Sequence, residues 1–176
     1  MQGAEFRQIF EAWRDALRAV IRPDEPWALV GVKRRGALLA RRLLEEFRAE
    51  FPDLALGEID ITLYRDDFHL NHSQPHVLGT EIDFSVDGRR ILLIDDVLFS
   101  GRTIRAAIDQ ILDYGRPHQV LLAVLVDRGH HELPIAADFA GVVLRTQRED
   151  RIQVRLEELD EEGDRLLLVR GGLPKV

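Results

Sequence analysis

Hydrophobic and polar positions along the chain follow two different periods. Apolar residues three and four positions apart, from Phe6 to Ile21, predict an amphipathic helix that ends before Pro23. The same period predicts two more helices, over residues 36–51 and 103–115. Near-continuous apolar runs predict buried strands over residues 27–32, 89–95 and 119–127, and alternation predicts a strand over residues 57–65.

The order of these elements indicates an α/β domain. Strands that are apolar on both faces and alternate with helices are typical of a mostly parallel sheet flanked by helices. Residues 66–80 have no hydrophobic period, and a long irregular segment of this kind is either disordered or a functional lid. After Arg128, short strand-like pieces predict a small antiparallel flap and an edge strand. We therefore predict one domain over residues 1–176, with a lid at about 65–80 and a flap at about 128–176.

The composition narrows the class of protein. With 45% hydrophobic and 31% charged residues, the chain is predicted to be a folded, soluble protein. No apolar run approaches the roughly 18 residues of a membrane span, so we expect no membrane contact and a cytoplasmic location. The absence of cysteine excludes disulfides and thiolate metal sites. A net charge of −7 argues against nonspecific nucleic-acid binding.

A candidate binding site lies in the stretch ILLIDDVLFSGRT, residues 91–103. Asp95 and Asp96 come where the predicted strand ends, and ligands of parallel α/β sheets bind beyond the carboxyl ends of the strands. Ser100, Gly101 and Thr103 surround the start of a helix, whose free N–H groups suit a phosphate. Ionised carboxylates only accept hydrogen bonds, so they suit the two hydroxyls of a ribose. The stretch therefore predicts a site for a ribose 5-phosphate.

Two other interpretations of the paired aspartates stay open. The strand could reach the surface there and leave both carboxylates in water. Alternatively the pair could hold Mg²⁺, as in receiver-type sites, with Asp127 at the end of a neighbouring strand as a third acid. Such a site also needs a lysine, and the two lysines, Lys33 and Lys175, are poorly placed for it.

The same stretch resembles the phosphoribosyl-pyrophosphate signature of type I phosphoribosyltransferases. Four segments in this order extend the likeness: VKRRG, GEIDITLYRDD, LLIDDVLFSGRTIRAAIDQILDYGRP and LAVLVDRGHHELPIAADFAG. Over about residues 4–170 the chain resembles the family of bifunctional pyrimidine-operon attenuation regulators with uracil phosphoribosyltransferase activity. The resemblance implies a type I phosphoribosyltransferase fold in which the flap is a hood. It also implies conversion of uracil and phosphoribosyl pyrophosphate to UMP and pyrophosphate, and UMP-responsive binding to the leader mRNA of a pyrimidine operon.

The resemblance further implies roles for individual residues. Asp95 and Asp96 would be catalytic together with Arg65 of the lid. The ribose and its phosphate would be bound by Asp95, Asp96, Val97, Leu98, Phe99, Ser100, Gly101, Arg102 and Thr103. The pyrophosphate would be bound by Lys33, Arg34, Arg35 and Gly36, and the base by Asp127, Arg128 and Ile152. A core role for Ile152 is equally open. Mg²⁺ is expected to arrive with phosphoribosyl pyrophosphate and to take no ligand directly from the protein.

The histidines near these residues have more than one interpretation. His69, His72 and His76 lie in the predicted lid, where we expect solvated side chains rather than a metal site. His130 and His131 follow the third apolar strand. They suit either acid–base chemistry near neutral pH or polar contacts that stabilise a turn.

RNA binding is implied by the resemblance, and the charge pattern supports it. The residues expected to contact RNA are Arg14, Arg18 and Arg22 on one side of the first predicted helix, with Lys33 and Arg34 on a loop. Such a surface suits RNA phosphates, although an ordinary solvated helix face has the same pattern. We expect a homodimer or homotetramer, because a monomer has little surface for a folded RNA loop. The alternative is a salvage phosphoribosyltransferase for uracil, or for a purine base, without an RNA role.

Overall fold

The computed structural model describes residue 1, residues 3–61 and residues 79–171. The helices in these ranges are α1 (Ala4–Arg18), α2 (Arg35–Phe47) and α3 (Arg102–Asp113), and none of them is long and apolar enough to cross a membrane. The strands are β1 (Trp27–Val32), β2 (Ala55–Ile59), β3 (Arg90–Leu98), β4 (Gln119–Asp127), β5 (Phe139–Val143), β6 (Arg151–Arg155) and β7 (Arg165–Val169). Most of the predicted lid lies outside the described residues, including Arg65, His69, His72 and His76.

The main sheet confirms the predicted parallel architecture. Five strands lie in the order β2-β1-β3-β4-β5, and each neighbouring pair is parallel. The central strand is β3, in which Ile91 to Ile94 are fully buried. The register aligns Gly31 of β1 and Ala123 of β4 with Ile94. The carboxyl ends of these strands therefore meet at one edge of the sheet, which is where α/β proteins bind their ligands.

Each face of the sheet has its own apolar core. On one face, α1 and α2 bury Trp13, Leu17 and Phe47 against the strands. On the other face, α3 buries Ile104 and Ile111. Successive residues of the strands point alternately into the two cores, as the pleat of a strand requires, so both faces must be apolar.

Several element boundaries differ from the prediction, and two of these differences affect predicted site residues. β3 continues to Leu98, three residues beyond Asp95, because Val97 and Leu98 still pair with β4. The first helix ends at Arg18. Arg22 therefore lies outside the helix, and the prediction that it extends the basic side of α1 is wrong.

The flap is an antiparallel pair of strands, β6 and β7, and we call residues 151–169 the hood. Val154 and Leu166 of the hood are buried in the core on the α1 and α2 side of the sheet. Arg42 of α2 binds Glu158 and Asp164, which lie between the two hood strands, each at 2.6 Å. Apolar packing and ion pairs thus both hold the hood against α2.

Candidate active site

Asp95 and Asp96 lie near the end of β3, where Asp95 is buried and Asp96 is half-buried. Asp95 is 6% exposed, and its Oδ1 accepts a hydrogen bond of 2.9 Å from the N–H of Asp96. Burial raises the pKa of Asp95, and the neighbouring charge of Asp96 raises it further. Burial also raises the pKa of Asp96, although the positive charge of Arg35 opposes this shift. Burial excludes the interpretation that both carboxylates are simply solvated, and it makes a ligand that donates hydrogen bonds to them favourable.

The predicted phosphate loop, residues 97–103, spans the end of β3 and the start of α3 and lines a cavity of about 550 Å³. Gly101 precedes α3 with a φ of 86°, a left-handed conformation that glycine adopts without strain. The hydroxyl of Ser100 lies 3.4 Å from the N–H of Arg102, at the limit of a hydrogen bond. The start of α3 faces this cavity, which is the position that the sequence predicts for a phosphate.

The pyrophosphate loop, residues 33–36, joins β1 to α2 and approaches β3 closely. A Cβ atom on Gly36 would lie 2.4 Å from the carbonyl oxygen of Ile94, so the approach requires glycine. Lys33 is ion-paired with Glu81 at 3.0 Å and with Glu58 at 3.5 Å. Its charge is therefore already compensated by carboxylates on the β2 side of the loop.

Arg34 and Arg35 occupy different positions in the same loop. Arg34 is exposed, and the peptide bond between Lys33 and Arg34 is cis. Arg35 lies close enough to Asp96 to lower its pKa, and its guanidinium is 3.3 Å from a carboxylate oxygen of Asp160. The structure therefore brings Arg35 and the aspartate pair together, as the predicted site requires.

Asp127, the last residue of β4, organises the turn that follows it. Its Oδ1 accepts hydrogen bonds from the N–H of Gly129 at 2.8 Å and from His131 Nε2 at 2.9 Å. His130 Nε2 lies 2.8 Å from the carbonyl oxygen of Thr146. Both histidines thus make turn-stabilising contacts, which is one of their two predicted interpretations.

Arg128 is buried, and nothing in the sequence pattern indicated this. Its guanidinium carbon lies 4.1 Å from the centre of the Phe99 ring, on which the guanidinium stacks. The guanidinium also donates hydrogen bonds to the carbonyl oxygens of Gln147 at 2.9 Å and Arg148 at 3.2 Å. Burial lowers the pKa of Arg128. The side chain therefore ties the phosphate loop to the turn before β6, residues 145–150.

A second cavity, of about 210 Å³, lies between Asp96 and the hood. Its wall consists of Arg35, Asp96, Ile152, Gln153, Val154 and Arg155. Ile152 is half-buried and also packs against the core, so its two predicted roles are compatible. Arg155 and Asp160 were not identified from the sequence. The alternation of apolar and polar residues along a short hairpin does not indicate which polar residue contacts the loop at residues 33–36.

The arginines of α1 that were expected to bind RNA are engaged in ion pairs. Arg14 lies 2.9 Å from Asp15 and 2.8 Å from Glu46, and Arg18 pairs with Glu50. The pair with Glu46 joins α1 to α2, and the pair with Glu50 joins α1 to the turn after α2. They also compensate much of the positive charge that the sequence indicated for this side of the helix.

The parallel sheet, the aspartate pair and the phosphate loop together define a class of protein. The phosphoribosyl transferase domain family matches residues 4–161. A hypoxanthine phosphoribosyltransferase from Staphylococcus aureus is 16% identical with a TM-score of 0.60, over 81% of this chain and 74% of that one. A purine phosphoribosyltransferase from Pyrococcus horikoshii Ot3 is 19% identical with a TM-score of 0.56, over 82% of this chain and 85% of that one. At these identities the structures show the fold alone, which is that of the phosphoribosyl transferases.

Relatives of higher identity narrow the class. The bifunctional protein PyrR of Roseiflexus sp. (strain RS-1) is 52% identical over 147 residues, which are 81% of this chain and 79% of the relative. The bifunctional protein PyrR of Bacillus mycoides (strain KBAB4) is 50% identical over 137 residues, 76% of each chain. The chain belongs to the PyrR family of phosphoribosyl transferases, which confirms the resemblance inferred from its motifs.

Proposed function

We propose that this protein converts uracil and phosphoribosyl pyrophosphate to UMP and pyrophosphate, and that UMP makes it a regulator of pyrimidine genes through leader mRNA. One observation carries the proposal: an aspartate pair, of which Asp95 is buried and Asp96 is half-buried, and a predicted phosphate loop follow each other at the end of β3. Relatives at about 50% identity are named bifunctional proteins, which supports two activities rather than salvage alone.

Phosphoribosyl pyrophosphate is held at three points in this proposal. The start of α3 and the hydroxyl of Thr103 receive the 5-phosphate. Asp95 and Asp96 accept hydrogen bonds from the two ribose hydroxyls. Arg34 and Arg35 bind the pyrophosphate as charge-assisted donors. Three fixed points orient C1 of the ribose toward the base, which is the main requirement of a reaction between two bound substrates.

The reaction breaks the bond between ribose C1 and the pyrophosphate oxygen and forms a bond between C1 and N1 of uracil. The pyrophosphate leaves with the electron pair, and N1 loses its proton. Positive charge develops on the ribose in the transition state, and the carboxylates of Asp95 and Asp96 stabilise it. We assign water exclusion to the lid, at about residues 65–80, and further positive charge for the leaving group to Arg65.

Mg²⁺ fits this site as a companion of the substrate. The described residues contain no group of three or more histidine, cysteine, aspartate or glutamate side chains that could hold a metal ion. Hard oxygen ligands are instead available from the pyrophosphate itself, with which the ion would arrive. When bound, Mg²⁺ supplies positive charge to the leaving group.

Uracil is assigned to the space between the end of β4 and the hood. Ile152 would contact the flat face of the ring, and Asp127 with nearby backbone groups would meet its polar edge. Arg128 would act on the base through the turn at residues 145–150, whose carbonyls it binds. We treat the chain as one domain, with its flap at about residues 128–176 and the hood as part of that flap.

Leader mRNA is assigned to five basic residues: Arg14, Arg18, Arg22, Lys33 and Arg34. RNA phosphates would replace Glu46 and Glu50 as partners of the α1 arginines. Exposed ion pairs contribute only about 0–1 kcal/mol each, so this exchange costs little. A homodimer or homotetramer in the cytoplasm, where the leader is transcribed, would present two or more such surfaces to one RNA.

The enzymatic activity is tested with a panel of bases and phosphoribosyl pyrophosphate, with pyrophosphate release as the readout. We expect uracil to be the preferred base. Preference for hypoxanthine or guanine would replace the proposal with a purine transferase on the same fold.

The regulatory activity is tested by equilibrium binding to the leader RNA of a pyrimidine operon, with and without UMP, over a series of salt concentrations. UMP should tighten binding, and Arg18→Ala should flatten the salt dependence. Arg116→Ala is the control, because Arg116 is exposed at the opposite edge of the sheet. Binding that is unaffected by UMP would leave a salvage enzyme.

A further inference from the structure

The cavity beside Asp96 contains a second cationic residue that the proposed reaction has not used. Arg35 enters its wall from the start of α2, and Arg155 enters from β6 of the hood. The two guanidinium groups therefore reach one cavity from two separate parts of the fold. Only 36% of the Arg155 side chain is exposed, so this arginine is not an ordinary surface residue.

Asp160 holds both arginines. Its carboxylate accepts a hydrogen bond of 2.6 Å from Arg155 and lies 3.3 Å from Arg35, and it also accepts one of 2.9 Å from the N–H of Leu156. The hydrogen bond from Arg155 is the main reason that the pKa of Asp160 falls to about 2. This carboxylate is ionised at neutral pH, and Gln153 accepts one more hydrogen bond from Arg155 at 3.0 Å.

Two guanidinium groups face the cavity. Arg35 and Arg155 line it together with Asp96, whose lone pairs are directed to the ribose hydroxyls in the proposed reaction. An anion that lies next to the ribose would therefore find several N–H donors on these two guanidinium groups.

The stereochemistry of the substrate identifies this anion. In phosphoribosyl pyrophosphate the α-linked pyrophosphate lies on the same side of the ribose ring as the two hydroxyls. A group that leaves from C1 on that side enters the space next to the carboxylates that bind the hydroxyls. That space is the cavity between Asp96 and the hood.

We propose that Arg155 is a second pyrophosphate-binding residue, supplied by the hood, and that Asp160 positions it opposite Arg35. This inference rests on the proposed function and adds a residue outside the loop at residues 33–36. UMP has no pyrophosphate, so it does not use Arg155. The hood thus recognises the leaving group as well as the base.

The test is Arg155→Gln in the full-length protein, assayed in both directions. We expect KM for phosphoribosyl pyrophosphate, and KM for pyrophosphate in the reverse reaction from UMP, to rise roughly 10- to 100-fold, the effect of losing one charge-assisted contact. The dissociation constant of UMP should change less than about twofold, and kcat should change far less than KM. Arg116→Gln, with the same loss of charge on a distant exposed residue, should match the wild type.

Each other outcome overturns the inference. Unchanged KM values for both pyrophosphate compounds would show that Arg155 does not touch the leaving group. An equal loss of UMP affinity would show that Arg155 only maintains the hood. If Arg155→Gln does not fold, Arg155→Met is assayed instead, because it keeps the apolar stem of the side chain. It should show the same rise in both KM values without a loss of UMP affinity. A wild-type protein that neither binds UMP nor releases pyrophosphate would instead refute the proposed function, and the inference with it.

Discussion

Arg128→Met tests whether the phosphate loop and the turn at residues 145–150 are held together by one buried guanidinium. The substitution keeps a long apolar side chain but removes the two hydrogen bonds to the carbonyls of Gln147 and Arg148. It also removes the stacking on Phe99 at 4.1 Å. Because Arg128 is 5% exposed, water does not replace these contacts in the folded state.

The size of the effect follows from these contacts. Two hydrogen bonds from a charged donor contribute about 1.5–3 kcal/mol each, and the stacking contributes about 1 kcal/mol. Removal of a buried charge, whose pKa is lowered mainly by burial, offsets part of this sum. We therefore expect the free energy of unfolding to fall by about 2–4 kcal/mol. Because the phosphate loop loses its support, UMP affinity should fall about tenfold or more.

Urea unfolding and UMP titration measure the two effects on the same samples. Arg116→Met is the control, because it removes an exposed arginine and should change stability by less than about 0.5 kcal/mol. Phe99→Leu, alone and combined with Arg128→Met, isolates the stacking, with an expected coupling of about 0.5–2 kcal/mol. A variant with wild-type stability and altered base preference would refute this reasoning and show that Arg128 contacts the base directly.

Three other substitutions probe the site and its loops. Gly36→Ala places a methyl group 2.4 Å from the carbonyl oxygen of Ile94. Urea unfolding should show a loss of about 1–3 kcal/mol, and no loss would contradict the close approach. Asp95→Asn should abolish pyrophosphate release yet raise the melting temperature at pH 7. Burial raises the pKa of Asp95 above its value of about 4 in the unfolded chain, so above about pH 4 the folded state binds more protons than the unfolded state. The stability of the wild type should therefore fall as the pH rises above about 4, and it should fall more steeply than the stability of the variant. The pKa of Glu132 is lowered, mainly by a hydrogen bond from Arg102. Glu132 therefore stabilises the folded state above about pH 4.5, and this stabilisation is lost as the pH falls below that value. Glu132→Gln should therefore unfold with a weaker acid dependence between about pH 5 and 3, and an unchanged acid profile would show that Glu132 adds no stability.

Several features of the protein could be read from its sequence. Unbroken apolar strands that alternate with helices predicted a parallel sheet, because strands buried on both faces must be apolar throughout. The run of Asp95, Asp96 and a small-residue turn predicted a ribose phosphate site, because the chain itself places these residues at the end of one strand. Gly36 and Gly101 were part of the same motifs. These features are local, so the order of residues is sufficient to find them.

The partners of the long charged side chains were decided only by the tertiary structure. Arg35 meets Asp160, which is 125 residues away along the chain, and Arg14 meets Glu46, which is 32 residues away. The sequence indicated a basic side on α1, yet carboxylates of α2 and of the turn that follows it compensate this charge. Arg128 directly follows an apolar strand in the sequence, and only the folded chain shows that its guanidinium is buried against Phe99. A hydrophobic period indicates which face of an element is buried, but a guanidinium pairs with whichever carboxylate or carbonyl the packed elements bring within about 3 Å, and that distance exists only in the folded chain.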